Sequence, residues 1–112
     1  MPGQLAVVKG TLDMLVLRAL VPGPLHGFEV TGWLEAHSGG ELAVDDSGLY
    51  QALYRLEGRH MIAADWGLTE NNRRARYYRL TPTGRAHLKR ETSAWLRYAA
   101  AVTRILASPQ TA

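Results

Sequence analysis

Residues 45–59 read DDSGLYQALYRLEGR, and the spacing inside that run decides how the rest of the chain is organised. Leu49, Leu53 and Leu56 recur at i, i+4 and i+7, the spacing of one face of an α-helix. That face can be buried while Tyr50, Gln51, Tyr54 and Arg55 turn away from it. Asp45, Asp46 and Ser47 are all good N-cap residues, so the helix begins with its positive dipole end and its unpaired N–H groups near those side chains. Such an end suits a phosphate. One side of the helix is for packing and the other is free to read something.

The chain has 112 residues and is 46% apolar, enough for one small domain with an appended element. It has no cysteine, so disulfides, thiol catalysis and thiolate metal sites are excluded. The four histidines, at 26, 37, 60 and 87, lack the paired spacing of metal ligands, and no metal or other cofactor is expected. No run approaches the roughly 18 apolar residues of a membrane span, and the start MPGQLAVVKG lacks the basic and apolar regions of a signal peptide. The expected location is the cytoplasm, with no membrane partner. Net charge is +3, but it is divided unevenly. Through Tyr54 two bases face six acids, a net −4; from Arg55 onward eleven bases face four acids, a net +7. The second half is where a polyanion would bind.

Upstream of the opening run, residues 1–8 read as a loose arm with Pro2 and Gly3. KGTLDMLVLRALV (9–21) repeats apolar residues at Leu12, Leu15, Val16, Ala19 and Leu20, the pattern of a buried helix ended by Pro22, Gly23 and Pro24. HGFEVTGWLEAH (26–37) reads as a second helix that buries Phe28, Val30 or Thr31, and Leu34, with Trp33 partly covered. Ser38-Gly39-Gly40 stops it. Residues 41–44 are too few for a helix and read as a short strand.

Downstream, MIAADWGL (61–68) and ARYYRL (75–80) are strand-like runs on either side of the polar TENNRR, which predicts a hairpin with a long basic tip. Tyr78 and Leu80 share the face expected to meet the core. Thr81-Pro82 is an N-cap followed by proline at the first helical position. From there to Leu106, the residues Leu88, Thr92, Trp95, Ala99, Val102 and Leu106 recur in alternating steps of four and three, one seam along a long helix. With Leu96 and Ile105 beside it, this is more apolar face than a lone terminal helix hides, so the seam is a candidate dimer interface. Residues 108–112 read as a frayed tail.

The order helix, helix, short strand, helix, hairpin, long helix is that of a mainly α winged helix-turn-helix domain over 1–81, followed by a C-terminal dimerisation helix and tail over 82–112. The pieces KGTLDMLVLRAL, PLHGFEV, SGLYQALYRLE and ENNRRARYYRLTPTGR, in this order and with a tryptophan before the last, resemble the PadR family of bacterial transcriptional regulators. The resemblance runs from about Lys9 to Leu106 and is similar to the short subgroup with a single C-terminal helix. It implies a homodimeric repressor whose third helix enters the major groove of a double-stranded DNA operator while the wing reaches the backbone or the minor groove. By position, Tyr50, Gln51, Tyr54 and Arg55 fall on the reading helix, and Arg73, Arg74 and Arg76 on the wing. The chain departs from the family in two spots. Ser47-Gly48-Leu49-Tyr50-Gln51 stands where the family usually has Gly-Ser-Leu-Tyr-Pro, and His60 stands where it usually has glycine.

The chemistry of these residues fits that reading. Tyrosine hydroxyls suit phosphate oxygens, glutamine can pair bidentately with adenine, and arginine can do so with guanine. Asn71, Asn72, Arg73, Arg74 and Arg76 can bind phosphates or insert into a narrow minor groove. Each set also has a plainer account as solvated surface. Trp95 reads as seam packing or, as in some PadR-type regulators, as part of an interface site for a planar hydrophobic effector. Trp33 and Trp66 read as core or edge packing. No Ser-His-Asp set, paired carboxylates, glycine-rich phosphate loop or metal cluster supports catalysis. The rival reading is a winged-helix interaction module that docks an acidic protein.

Overall fold

The structure is a computed structural model and describes residues 3–110. Its centre is α1 (Leu12–Ala19), which touches all three other helices, α2 (Gly27–His37), α3 (Asp46–Gly58) and α4 (Pro82–Leu106). Because it is enclosed from several sides, its last turn is buried almost all round. Val16, Leu17, Ala19 and Leu20 are in the core, whereas Leu12 and Leu15 are only partly covered. A single-stripe reading of α1 therefore leaves out Leu17. α3 buries Leu49, Ala52, Leu53 and Leu56 against this core, as the leucine spacing predicts. Each such leucine contributes about 1.5–3 kcal/mol of transfer free energy.

α2 corrects one expectation. Gly27, Val30 and Leu34, at i, i+3 and i+7, form its buried face, and Trp33 is partly covered. Phe28 is 82% exposed. It lies two residues before Val30, about 200° around the helix, so the geometry that buries Val30 turns Phe28 outward.

Side chains fix the helix ends. His26 caps α2: its Nδ1 accepts from the Glu29 amide at 3.3 Å, and the Glu29 carboxylate accepts from the His26 amide at 3.1 Å. Asp45 caps α3 by accepting from the Gly48 amide at 3.1 Å, and Thr81 caps α4 by accepting from the Gly84 amide at 3.0 Å. α3 ends in a left-handed turn at His60, φ 60°. The Met61 amide donates to the Leu56 carbonyl and the His60 amide to that of Glu57, the two bonds of a Schellman motif. The position usually filled by glycine does use a positive φ, and here histidine adopts it.

The wing is a hairpin of β4 (Ile62–Leu68) and β5 (Arg74–Leu80), paired in register from Ile62–Leu80 to Leu68–Arg74. Tyr78 is buried and Leu80 packs on the core, as expected. Its tip is shorter than the sequence suggests. Residues 69–73 form a tight turn closed by the Thr69 amide on the Arg73 carbonyl at 2.8 Å, and Arg74 already belongs to the strand. Leu25–His26 (β2) adds a third strand, giving the order β2-β5-β4. Leu5–Ala6 (β1) pairs in parallel with Leu42–Ala43 (β3). β3 falls within the short strand expected over residues 41–44, whereas β1 and β2 were not anticipated, and the expected arm over residues 1–8 is tied down at Leu5. Met1 and Pro2, like Thr111 and Ala112 of the expected tail, lie outside the described residues.

α4 is rooted in this body. Gly84 sits against the Met61 carbonyl, where a Cβ would overlap the oxygen, and Leu88 is buried in the core. Beyond Leu88 the helix runs out of the body, and the molecule is 63 Å in its longest dimension against 22 Å in its shortest. The fold is a helix-dominated winged helix with a long terminal helix.

Candidate nucleic-acid interface

Leucine burial on one side of α3 leaves Ser47, Tyr50, Gln51, Tyr54 and Arg55 lining one open concave surface on the other. Tyr54 is 82% exposed and Tyr50 53%. Tyr50 is less exposed because its ring lies over Gly27 at the start of α2, where a Cβ would come within 2.7 Å of the hydroxyl oxygen. Tyr50 is thereby held against the base of α2, while Tyr54 projects freely. Arg55 is not free. Its Nη2 donates to Asp13 Oδ1 of α1 at 2.7 Å, and the hydrogen bond and charge of Asp13 push its pKa further up.

The wing adjoins this surface. Tyr50 lines a single cleft of about 970 Å3 together with Phe28 of α2 and Trp66, Arg73, Arg74 and Arg76 of the wing. Arg73 lies at the tip and Arg74 at the first position of β5, both exposed. Arg74 stacks over Trp66, 4.7 Å from the ring centroid. Asn72 has φ 60° and occupies the sharpest point of the turn, where asparagine is well tolerated. Asn71 is also on the cleft wall.

Arg76 is differently engaged. Its Nη1 and Nη2 donate to the two carboxylate oxygens of Glu57 at 3.2 and 2.7 Å, a bidentate pair between β5 and α3. Hydrogen bonding to Glu57 raises its pKa, and the guanidinium also lies 5.7 Å from the Tyr78 ring centroid. Arg76 thus braces the wing against the reading helix, with both terminal nitrogens engaged by Glu57. Burial pushes the Tyr78 phenol up, partly offset by the charge of Arg76.

Four contributors escaped the sequence reading. Asp13 and Glu57 meet their arginines across 42 and 19 residues, and no local pattern signals either pair. Phe28 was assigned to the core. Trp66, which is 62% exposed, was assigned to core or edge packing; its strand runs past the core, so its ring meets Arg74 instead.

The α4 seam is divided. Leu88 is buried in its own body, which removes it from a surface that a partner could cover. Thr92 and Leu106 are exposed, Ala99 and Val102 are half-covered, and Trp95 is 38% exposed with Tyr98 6.1 Å away. Leu96, Tyr98 and Ile105 widen the uncovered apolar strip. Among the described residues, no helix is long and apolar enough to cross a membrane, and no group of His, Asp and Glu is arranged to hold a metal.

Residues 16–90 match the family described as "Transcriptional regulator PadR-like family". The chain belongs to this family. A PadR family transcriptional regulator from Eggerthella lenta is 28% identical, with a TM-score of 0.75 over 90% of this chain and 86% of that one. A transcriptional regulator from Clostridium thermocellum is 26% identical, with a TM-score of 0.78 over 87% of this chain and 91% of that one. An uncharacterized 37.1 kDa protein in transposon TN4556 of Streptomyces fradiae is 40% identical over 85 residues, 76% of this chain. The match spans 23% of that relative's length. PadR membership makes this protein a DNA-binding regulator of transcription. Within a PadR-like regulator, the concave α3 surface and the cleft beside it are the candidate DNA-reading face.

Proposed function

We propose that this PadR-family chain is a homodimeric repressor that binds a palindromic operator. Tyr50, Gln51, Tyr54 and Arg55 of α3 read the major groove. Asn72, Arg73 and Arg74 of the wing hold the phosphate backbone or the adjacent minor groove. The observation that carries this reading is the continuity of the surface: Tyr50 of α3 and Arg73 and Arg74 of the wing line one cleft. Residues 1–81 form the reading body. Beyond its root in that body, α4 supplies the dimer surface through Thr92, Trp95, Ala99, Val102 and Leu106. Repression follows from occupancy of the operator, with the spacing of the two reading heads set by how the α4 helices cross. Trp95 packs at the seam, and its position also suits stacking on a planar hydrophobic effector. The protein acts by binding rather than by catalysis, in the cytoplasm.

Selection of bound duplexes from a random pool tests the proposal. The expected product is an inverted repeat whose half-sites lie about one helical turn apart, or a multiple of it. Binding should fall steeply with salt. Recovery of no preferred sequence, with binding instead to acidic proteins, would support the interaction-module reading in its place.

A further inference from the structure

Resting on α3 as the reading helix, we propose that Asp13 is a positioning residue for DNA recognition. It holds the Arg55 guanidinium in one orientation and so raises the ratio of specific to non-specific binding. The contact is short, 2.7 Å from Nη2 to Oδ1, and joins the first turn of α1 to the exposed side of α3. Arginine carries five N–H donors in a planar fork. The bond to Asp13 uses one N–H of Nη2, and the other four N–H donors have no partner among the described residues; the side chain is half-exposed on the surface shared with Tyr54 and Gln51, so one paired edge of the fork remains for a base.

Bidentate pairing with guanine O6 and N7 depends on the orientation of the guanidinium plane. A loose arginine must be immobilised when it binds, whereas one already held loses less freedom. The carboxylate has a second effect. It is a negative charge beside a face built for a polyanion, and it disfavours contacts in which Arg55 merely swings onto the nearest phosphate. Two of the three wing arginines next to this face are engaged differently. Arg76 is closed off by both oxygens of Glu57, and Arg74 stacks on Trp66. Arg55 combines an orienting carboxylate with N–H donors that have no partner among the described residues.

The full chain is compared as wild type, Asp13→Asn, Arg55→Ala and the double variant. Each is titrated by fluorescence anisotropy against the selected duplex and a scrambled duplex, over a series of KCl concentrations. For Asp13→Asn the specific-to-non-specific ratio should fall about threefold to tenfold, the range expected when one long side chain is no longer pre-ordered. Affinity for the scrambled duplex should rise, and its log–log salt slope should steepen by up to about 0.9, one extra phosphate contact. In the Arg55→Ala background Asp13→Asn should leave the ratio unchanged. Asp13→Glu keeps the charge and should retain most of the ratio, which separates positioning from loss of fold. An unchanged ratio in Asp13→Asn, an equal rise on both duplexes, or a loss that persists without Arg55 would each overturn the inference. If Arg55→Ala itself leaves both affinities at wild type, the assignment of the reading face fails as well. If Arg55→Ala loses specificity while Asp13→Asn does not, only the role of Asp13 fails.

Discussion

Replacing His60 with glycine should stabilise the protein. His60 follows the C-cap of α3 with φ 60°, and both amides of the Schellman turn are satisfied there by the carbonyls of Leu56 and Glu57. The backbone around it is further fixed because its carbonyl accepts from Thr81 Oγ1 at 2.7 Å. The turn cannot relax toward negative φ without giving up these bonds, so the strain of an L-residue in the left-handed region stays in the folded state. That strain is about 1–2 kcal/mol, and glycine does not bear it. Glycine gives back about 0.5–1 kcal/mol through the greater freedom of the unfolded chain. The imidazole is exposed, so little packing is lost. The net gain is about 0.5–1 kcal/mol, or roughly 2–6 °C in Tm for a domain of this size. Urea and thermal unfolding at one fixed protein concentration measure it. His60→Ala, which keeps a Cβ in the same conformation, should show no comparable gain. A neutral or destabilised His60→Gly would refute the argument by showing that the imidazole makes a contribution as large as the strain.

Other outcomes follow from the same geometry. Gly84→Ala should destabilise by at least about 1–3 kcal/mol in urea unfolding, because the new methyl meets a Met61 carbonyl that already accepts from the Thr81 amide; wild-type stability would mean that α4 can shift away from β4. Changing Arg73 and Arg74 to glutamine should reduce the salt slope of DNA binding by up to about 1.8; an unchanged slope would remove both from the phosphate contacts. Burial raises the folded-state pKa of Tyr78, so the folded protein holds that proton more tightly. The associated stability is fully present below the ordinary phenol value of about 10 and is lost as pH rises through the folded value. Tyr78→Phe should therefore flatten the decline in stability at alkaline pH, read from urea midpoints; an identical decline would assign it to other groups.

The legible parts of this chain are those with a period long enough to count. The leucines of α3, the Thr81-Pro82 start of α4 and the alternation of β5 each predict their element and its inward face. Two-residue strands carry no such period, so β1 and β2 appear only once the chain is folded, and β3 is legible only because residues 41–44 are too few for a helix. Hydrophobicity alone also misplaces residues: the turn of α2 that buries Val30 points Phe28 outward, β4 carries Trp66 past the core, and the root of α4 takes Leu88 inside. At the reading face, the residue types were visible in the sequence but their commitments were not. Arg55 and Arg76 look equivalent as letters, yet one meets a carboxylate through Nη2 and the other through both terminal nitrogens. Such pairings depend on how α1, α3 and β5 come together, and local spacing holds no record of that.

The junction where α3 ends and α4 begins has a mechanical meaning. Thr81 donates to the carbonyls of His60 and Met61 through its hydroxyl and amide, and Gly84 rests on Met61, so the two helices share one rigid knuckle with no slack segment between them. At 1.5 Å per residue, the 25 residues of α4 make a lever of about 37 Å, and a tilt of 10° at the knuckle moves its far end by about 6 Å. Run in the other direction, a displacement of several ångström near Leu106 is reduced to a much smaller adjustment, delivered with greater force, at the foot of the reading helix.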